Sequence, residues 1–148
     1  MTITADDLLA MGFSSAMFGI TDAELTSRIT AVISEQTDLI TDRVGAAVFA
    51  LAANAHARDR AVKLLTAAEL ARRRILQLSA NTRIDAAESS EADGLEKNIT
   101  AWEKQADVWI KKMLDGAVAD SGGFASGCTT SYSDARMTYP DSEVTGNA

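Results

Sequence analysis

The chain has 148 residues and a formal net charge of −7, enough for one domain with a real core and too few for two comfortable ones. Alanine dominates the apolar content, aromatic residues make up only 5%, and the single proline is Pro140, a composition that favours closely approaching helices over a many-turned β protein. The acidic balance argues against a dedicated nucleic-acid binder, the lone Cys128 excludes an intramolecular disulfide framework and fits a reducing compartment, and no apolar run approaches the roughly 20 residues of a membrane span.

The charge is partitioned along the chain. Residues 1–44 carry seven acids and two bases, and 45–84 carry two acids and seven bases. Residues 85–115 carry eight acids and four bases, and 116–148 four acids and one base. Alternation of sign on this scale suits helices that pack against one another, or copies that stack. The first residues, MTITADDLLAM, place two acids ahead of a short apolar patch with no basic region, unlike a signal peptide, so a soluble intracellular product is expected.

In chain order, Thr4 followed by Asp6 and Asp7 predicts a short capped helix that stops before Gly12. The stretch from Phe13 to Gly19 is broken by serines and reads as a loop that lays Phe13, Met17 and Phe18 on the core. Thr21 with Glu24 three residues on forms a capping box. Behind it Leu25, Ile29, Val32 and Leu39 recur at helical spacing, widened by Ile33 and Ile40, which predicts an amphipathic helix to about Val44. Gln36 interrupts that stripe, either as a satisfied core amide or as a register-setting polar contact.

Gly45 either ends this helix or marks a close-packing point. Residues 46–78 then hold the longest run of good helix formers and most of the positive charge, with no Gly or Pro. Despite a candidate break near Asn54 and His56, one unbroken helix is expected, with Ala61, Leu64, Leu65, Ala68, Ala71, Ile75 and Leu78 on one face. The rest of the chain should be organised around it. Residues 79–94 are acidic, without apolar period, and read as an exposed, mobile connector. Leu95, Ile99, Trp102, Ala106, Trp109 and Met113, with Ile110 beside them, predict the clearest helix, with Lys97, Lys104 and Lys111 on its solvated back. From Gly116 the Gly/Ser/Thr-rich sequence cannot build a core of its own. The fold class is therefore all-α: a small helical bundle over residues 1–116, and an extended or disordered C-terminal arm over 117–148.

Nothing in the sequence carries a motif for chemistry. His56 lacks an adjacent nucleophile or ligand set and reads as structural; Cys128 reads as an ordinary thiol. Arg72, Arg73 and Arg74 fan across about 200° of helix surface and cannot all follow one phosphate track. Together with Arg58, Arg60 and Lys63 they fit pairing with acids of the flanking helices and contact with an acidic neighbour. Trp102 and Trp109, one heptad apart, are core residues or an interface pair. No catalytic, metal or cofactor site is expected.

The order of elements, with the phrases ELTSRITAVISEQTDLITDRVG and RAVKLLTAAELARRR, an acidic connector, a last amphipathic helix and a polar tail, resembles the small helical head–tail adaptor (connector, head-completion) proteins of tailed bacteriophages. The resemblance spans residues 4–114 and is closest at 22–44 and 60–74. It implies a structural virion protein at the head–tail junction, made in the host cytoplasm, without cofactor or catalysis. Its copies would form a ring of about twelve beneath the portal, a closed cyclic assembly built from two unlike faces per subunit. Such a ring extends the DNA channel, lets DNA pass without specific binding, and offers a docking surface to a tail or stopper protein. On that basis Phe124, Tyr132, Met137 and Tyr139 are expected to anchor the arm on a partner, and Arg58, Lys63, Arg72 and Arg74 to contribute to the subunit contact. A helical regulator or chaperone-like adaptor that inserts the Trp102/Trp109 helix into a partner groove is the alternative, and a DNA-binding helical protein a third.

Overall fold

A computed structural model describes residues 3–80 and 86–120. The chain divides into a unit of residues 1–117 and a second of 118–148, and the bundle belongs to the first. The described residues form helices: α1 (Ala5–Leu9), α2 (Ser15–Phe18), α3 (Asp22–Val44), α4 (Ala46–Ala50), a 3-10 turn (Ala52–Asn54), α5 (Ala55–Ala80) and α6 (Ala86–Asp120). Among the described residues there is no strand, so the all-α class holds.

Thr4 and Thr21 close the two capping boxes that their sequences announce. The backbone N–H of Thr4 donates to Asp7 at 2.9 Å, and that of Thr21 to Glu24 at 2.9 Å. Between them, the expected loop over 13–19 contains a helical turn instead. Ser14 accepts from the N–H of Met17, and Gly19 ends the turn in the left-handed region at φ +63°. The serines that look like loop punctuation act here as an N-cap. The purpose assigned to the stretch stands, since Phe13 and Phe18 are buried and Met17 packs beside them.

The main axis of the bundle is α3 against α5. The N-terminal half of α3 (Leu25, Ile29, Val32) packs on Ala67 and Leu70, while Ile40 and Val44 pack near Ala57, Ala61 and Val62. The two helices therefore run antiparallel. Helix α6 repeats the relation: Leu95 and Ile99 meet Ala68 and Ala71, whereas Ile110 and Met113 meet Ala57 and Ala61. It too is antiparallel to α5 and thus parallel to α3, which makes an up–down–up three-helix bundle. Five buried alanines of α5, at 57, 61, 67, 68 and 71, let both partners approach closely. Because two helices clamp it, α5 buries more than the single face its period suggests. It is the organising element, but only from Ala55 onward.

Four expectations need correction. The central stretch is not one helix: Leu51 turns extended at ψ 130° after α4, beside the candidate break at Asn54, whereas Gly45 (φ +86°) ends α3, one of its two expected roles. The buried Asn54 side chain holds that break by donating to the carbonyls of Val48 at 2.9 Å and Met113 at 3.4 Å. On α3, Leu39 is 45% exposed, and the core line runs Val32, half-buried Gln36, Ile40, Val44. Three four-residue steps in a row shift the line away from Leu39. Residues 79–94 are not one exposed connector, since α5 continues to Ala80 and α6 begins at Ala86. Finally, Gly116 does not end α6, which runs on to Asp120.

Candidate interaction surface

The basic run of α5 is spent largely inside the chain. Arg72 meets Glu103 of α6 and lies 3.9 Å from Glu69. Arg73 donates to Glu69 at 2.9 Å and to Glu35 of α3 at 2.8 Å, and its pKa is raised by the hydrogen bond to Glu69 and by the nearby Glu35 charge. Arg74 forms a two-pronged pair with Glu91 of α6. Three consecutive arginines thus address α6, α3 and α6 again. Helix α3 is also tied directly to α6, by Arg43 to Asp107 at 3.1 Å.

Nearer the start of α5, Arg58 donates to the Phe49 carbonyl at 3.0 Å, sits over the Phe49 ring at 5.2 Å and lies 3.7 Å from Asp59. Lys63 reaches Asp7 at 3.8 Å. So Arg58, Lys63, Arg72 and Arg74, the four residues assigned to a subunit contact, all have intrachain partners, and the Arg74 side chain is only 14% exposed. The pairing role that the sequence assigned to the basic run is the one observed.

His56 is exposed and stands edge-on to Trp109, with ring centroids 5.3 Å apart, while the Lys112 ammonium lies 4.1 Å above the same indole. Trp102 packs on Phe13 at 6.3 Å. Both tryptophans face their own bundle, which is the core role. A cleft of about 640 Å³ near the starts of α1 and α5 is lined by Asp7, His56, Asp59, Arg60 and Lys63, a mixture of signs. Among the described residues no group of three His, Cys, Asp or Glu is placed to hold a metal, and no helix is long and apolar enough to cross a membrane. Phe124, Cys128, Tyr132, Met137 and Tyr139 lie outside the described residues.

The charge left over points outward. Lys97, Lys104 and Lys111 are exposed on the back of α6, with exposed Ala101 and Val108 between them, and among the described residues none is in an ion pair. The outward side of α3 shows the opposite sign, with exposed Glu24, Glu35, Asp38 and Asp42 around Ala31. Asp38 and Asp42 were not singled out by sequence. Their signal was there, as acids four residues apart opposite the apolar stripe, but a charged helix back has the same appearance. A scan against protein-family models gives no match, and searches of curated proteins and of solved structures give no significant match.

Proposed function

We propose that this chain is a structural virion protein, a head–tail adaptor whose copies form a ring between portal and tail and extend the DNA channel. One observation carries the reading. The two stretches where the resemblance is closest, 22–44 and 60–74, are helix α3 and the packed middle of α5, the antiparallel pair on which the bundle is built. The likeness therefore lies in the load-carrying pair of the fold and not in a peripheral segment. The charge layout supports it too, since unlike faces on one subunit are what a head-to-tail closed ring requires.

In this reading the portal, a tail or stopper protein and other copies of the chain are the partners, and Phe124, Tyr132, Met137 and Tyr139 anchor the arm on one of them. Arg58, Lys63, Arg72 and Arg74 join the subunit contact only by sharing their present partners. The test is deletion of the gene from the phage that carries it. DNA-filled heads without tails, restored by adding purified protein, are the expected result. Tailed, infectious particles from the deletion would overturn the proposal.

A further inference from the structure

The ring reading supplies a partner, a second copy of this chain, but not the surfaces that meet. Two outward faces carry charge without a use inside the bundle. Between Lys97 and Lys112 the only acids of α6 are Glu103 and Asp107, and both turn toward arginines of their own subunit. What remains outward within that span is a lysine every seven residues, spaced about 10 Å apart along the helix, with exposed Asp93, Glu96 and Asp115 beyond its two ends. On α3, Glu35 is taken by Arg73 and Glu24 by its cap, while Asp38 and Asp42 flank the exposed Leu39 with no ion pair among the described residues. Of the two bases on that helix, Arg43 pairs with Asp107 and Arg28 lies over the Phe18 ring at 6.0 Å.

We propose that the acidic outward face of α3 and the lysine-bearing outward face of α6 dock on each other between copies of this chain. Register supports the match as well as charge. Within one subunit α3 and α6 run parallel, and Arg43 meets Asp107, an offset of 64 residues. At that offset Lys104 lies level with residue 40, between Asp38 and Asp42. Rotation about an axis along the bundle, with no rise, keeps every copy of α3 parallel to every copy of α6 and preserves this level. Lys104 of one copy then enters between Asp38 and Asp42 of the next. Rotation without rise closes a ring, whereas rotation with rise would give a filament.

The proposal rests on the ring reading for the identity of the partner, and its test separates the two. The wild-type chain, K97E/K104E/K111E and D38K/D42K are compared by sedimentation at low ionic strength, with circular dichroism confirming that each is helical. The wild type should self-associate, more weakly as salt rises. Each reversal should weaken association about tenfold or more, equivalent to about 1.4 kcal/mol. An equimolar mixture of the two reversed proteins should recover it, because each then offers the charge that the other lacks. A wild type that stays monomeric, reversals that associate like the wild type, or a mixture that recovers nothing would each overturn the proposal. If reversed proteins still take their place in particles, the surface is wrong and the ring reading stands. If the mixture recovers association but the chain is absent from particles, the surface stands and the virion reading fails.

Discussion

Arg74 and Glu91, on different helices, face each other through two parallel hydrogen bonds, Nε to Oε1 at 2.9 Å and Nη2 to Oε2 at 3.3 Å. The pair ties the start of α6 to the end of α5, where α6 has few apolar residues to bury. Both side chains are largely sheltered, at 14% and 33% exposure, so the pair should be worth more than a surface ion pair. Arg74→Ala is expected to lower unfolding stability by about 1–2 kcal/mol in urea. It should also speed amide exchange over residues 89–94 selectively. Unchanged exchange there would show that the pair does not hold this turn.

Gly94 sits inside α6, exposed, and a Cβ added there would meet nothing within 4 Å. Alanine in a helix interior is favoured over glycine by about 1 kcal/mol. Gly94→Ala should therefore raise stability by about that amount. No gain on thermal or urea unfolding would mean that residues 86–94 spend little time helical.

Thr66 is fully buried in α5, and among the described residues its Oγ1 has no hydrogen-bond partner. A buried, unsatisfied hydroxyl costs about 1–3 kcal/mol relative to a satisfied or apolar group. Thr66→Val keeps the shape and removes the hydroxyl, so a gain of about 1 kcal/mol is expected on urea unfolding. A loss of stability would reveal a partner for that oxygen.

The caps make stability depend on acid. The backbone hydrogen bond from Thr4 holds the Asp7 carboxyl below its ordinary value of 3.8 against the opposing effect of burial, with lesser help from the Thr4 hydroxyl and Lys63. The backbone N–H and hydroxyl of Thr21 do the same for Glu24, ordinarily 4.5. A carboxyl whose pKa is lower in the folded state than in the unfolded state binds fewer protons when folded. Its contribution is complete above the unfolded value and disappears as pH falls through the folded one. The melting temperature should therefore drop as pH falls below about 4.5, and more shallowly for D7N/E24Q than for the wild type. Equal slopes would remove the caps as the cause.

Much of this fold is legible in the sequence because its long helices are locally over-determined. Thr21 with Glu24, and the repeats of Leu95–Met113, need no tertiary information. The break at Leu51–Asn54, a candidate in the sequence near Asn54, was outweighed because AAVFALAANAHA favours helix throughout, and what interrupts it is a buried amide reaching carbonyls at Val48 and, 59 residues on, at Met113. The opening turns of α6 were hidden for the opposite reason. They lack an apolar period, and Arg74, the residue that fixes them, belongs to another helix. For the interaction surface, residue type was readable but partnership was not: Arg58 and the Arg72–Arg74 run of α5 looked like the available charge, yet they are engaged, while the lysines of α6 are left outward.

In the proposed function, copies of this bundle close around an axis at one vertex of a capsid. Cryo-electron microscopy of the native particle, reconstructed at that vertex without icosahedral averaging, measures it most directly. Head-to-tail closure predicts the α3, α5 and α6 rods repeated at one height around the portal, each α6 lying along the α3 of its neighbour. A helix-resolving map in which the bundle is missing from the vertex, or sits there as one isolated copy, would contradict it.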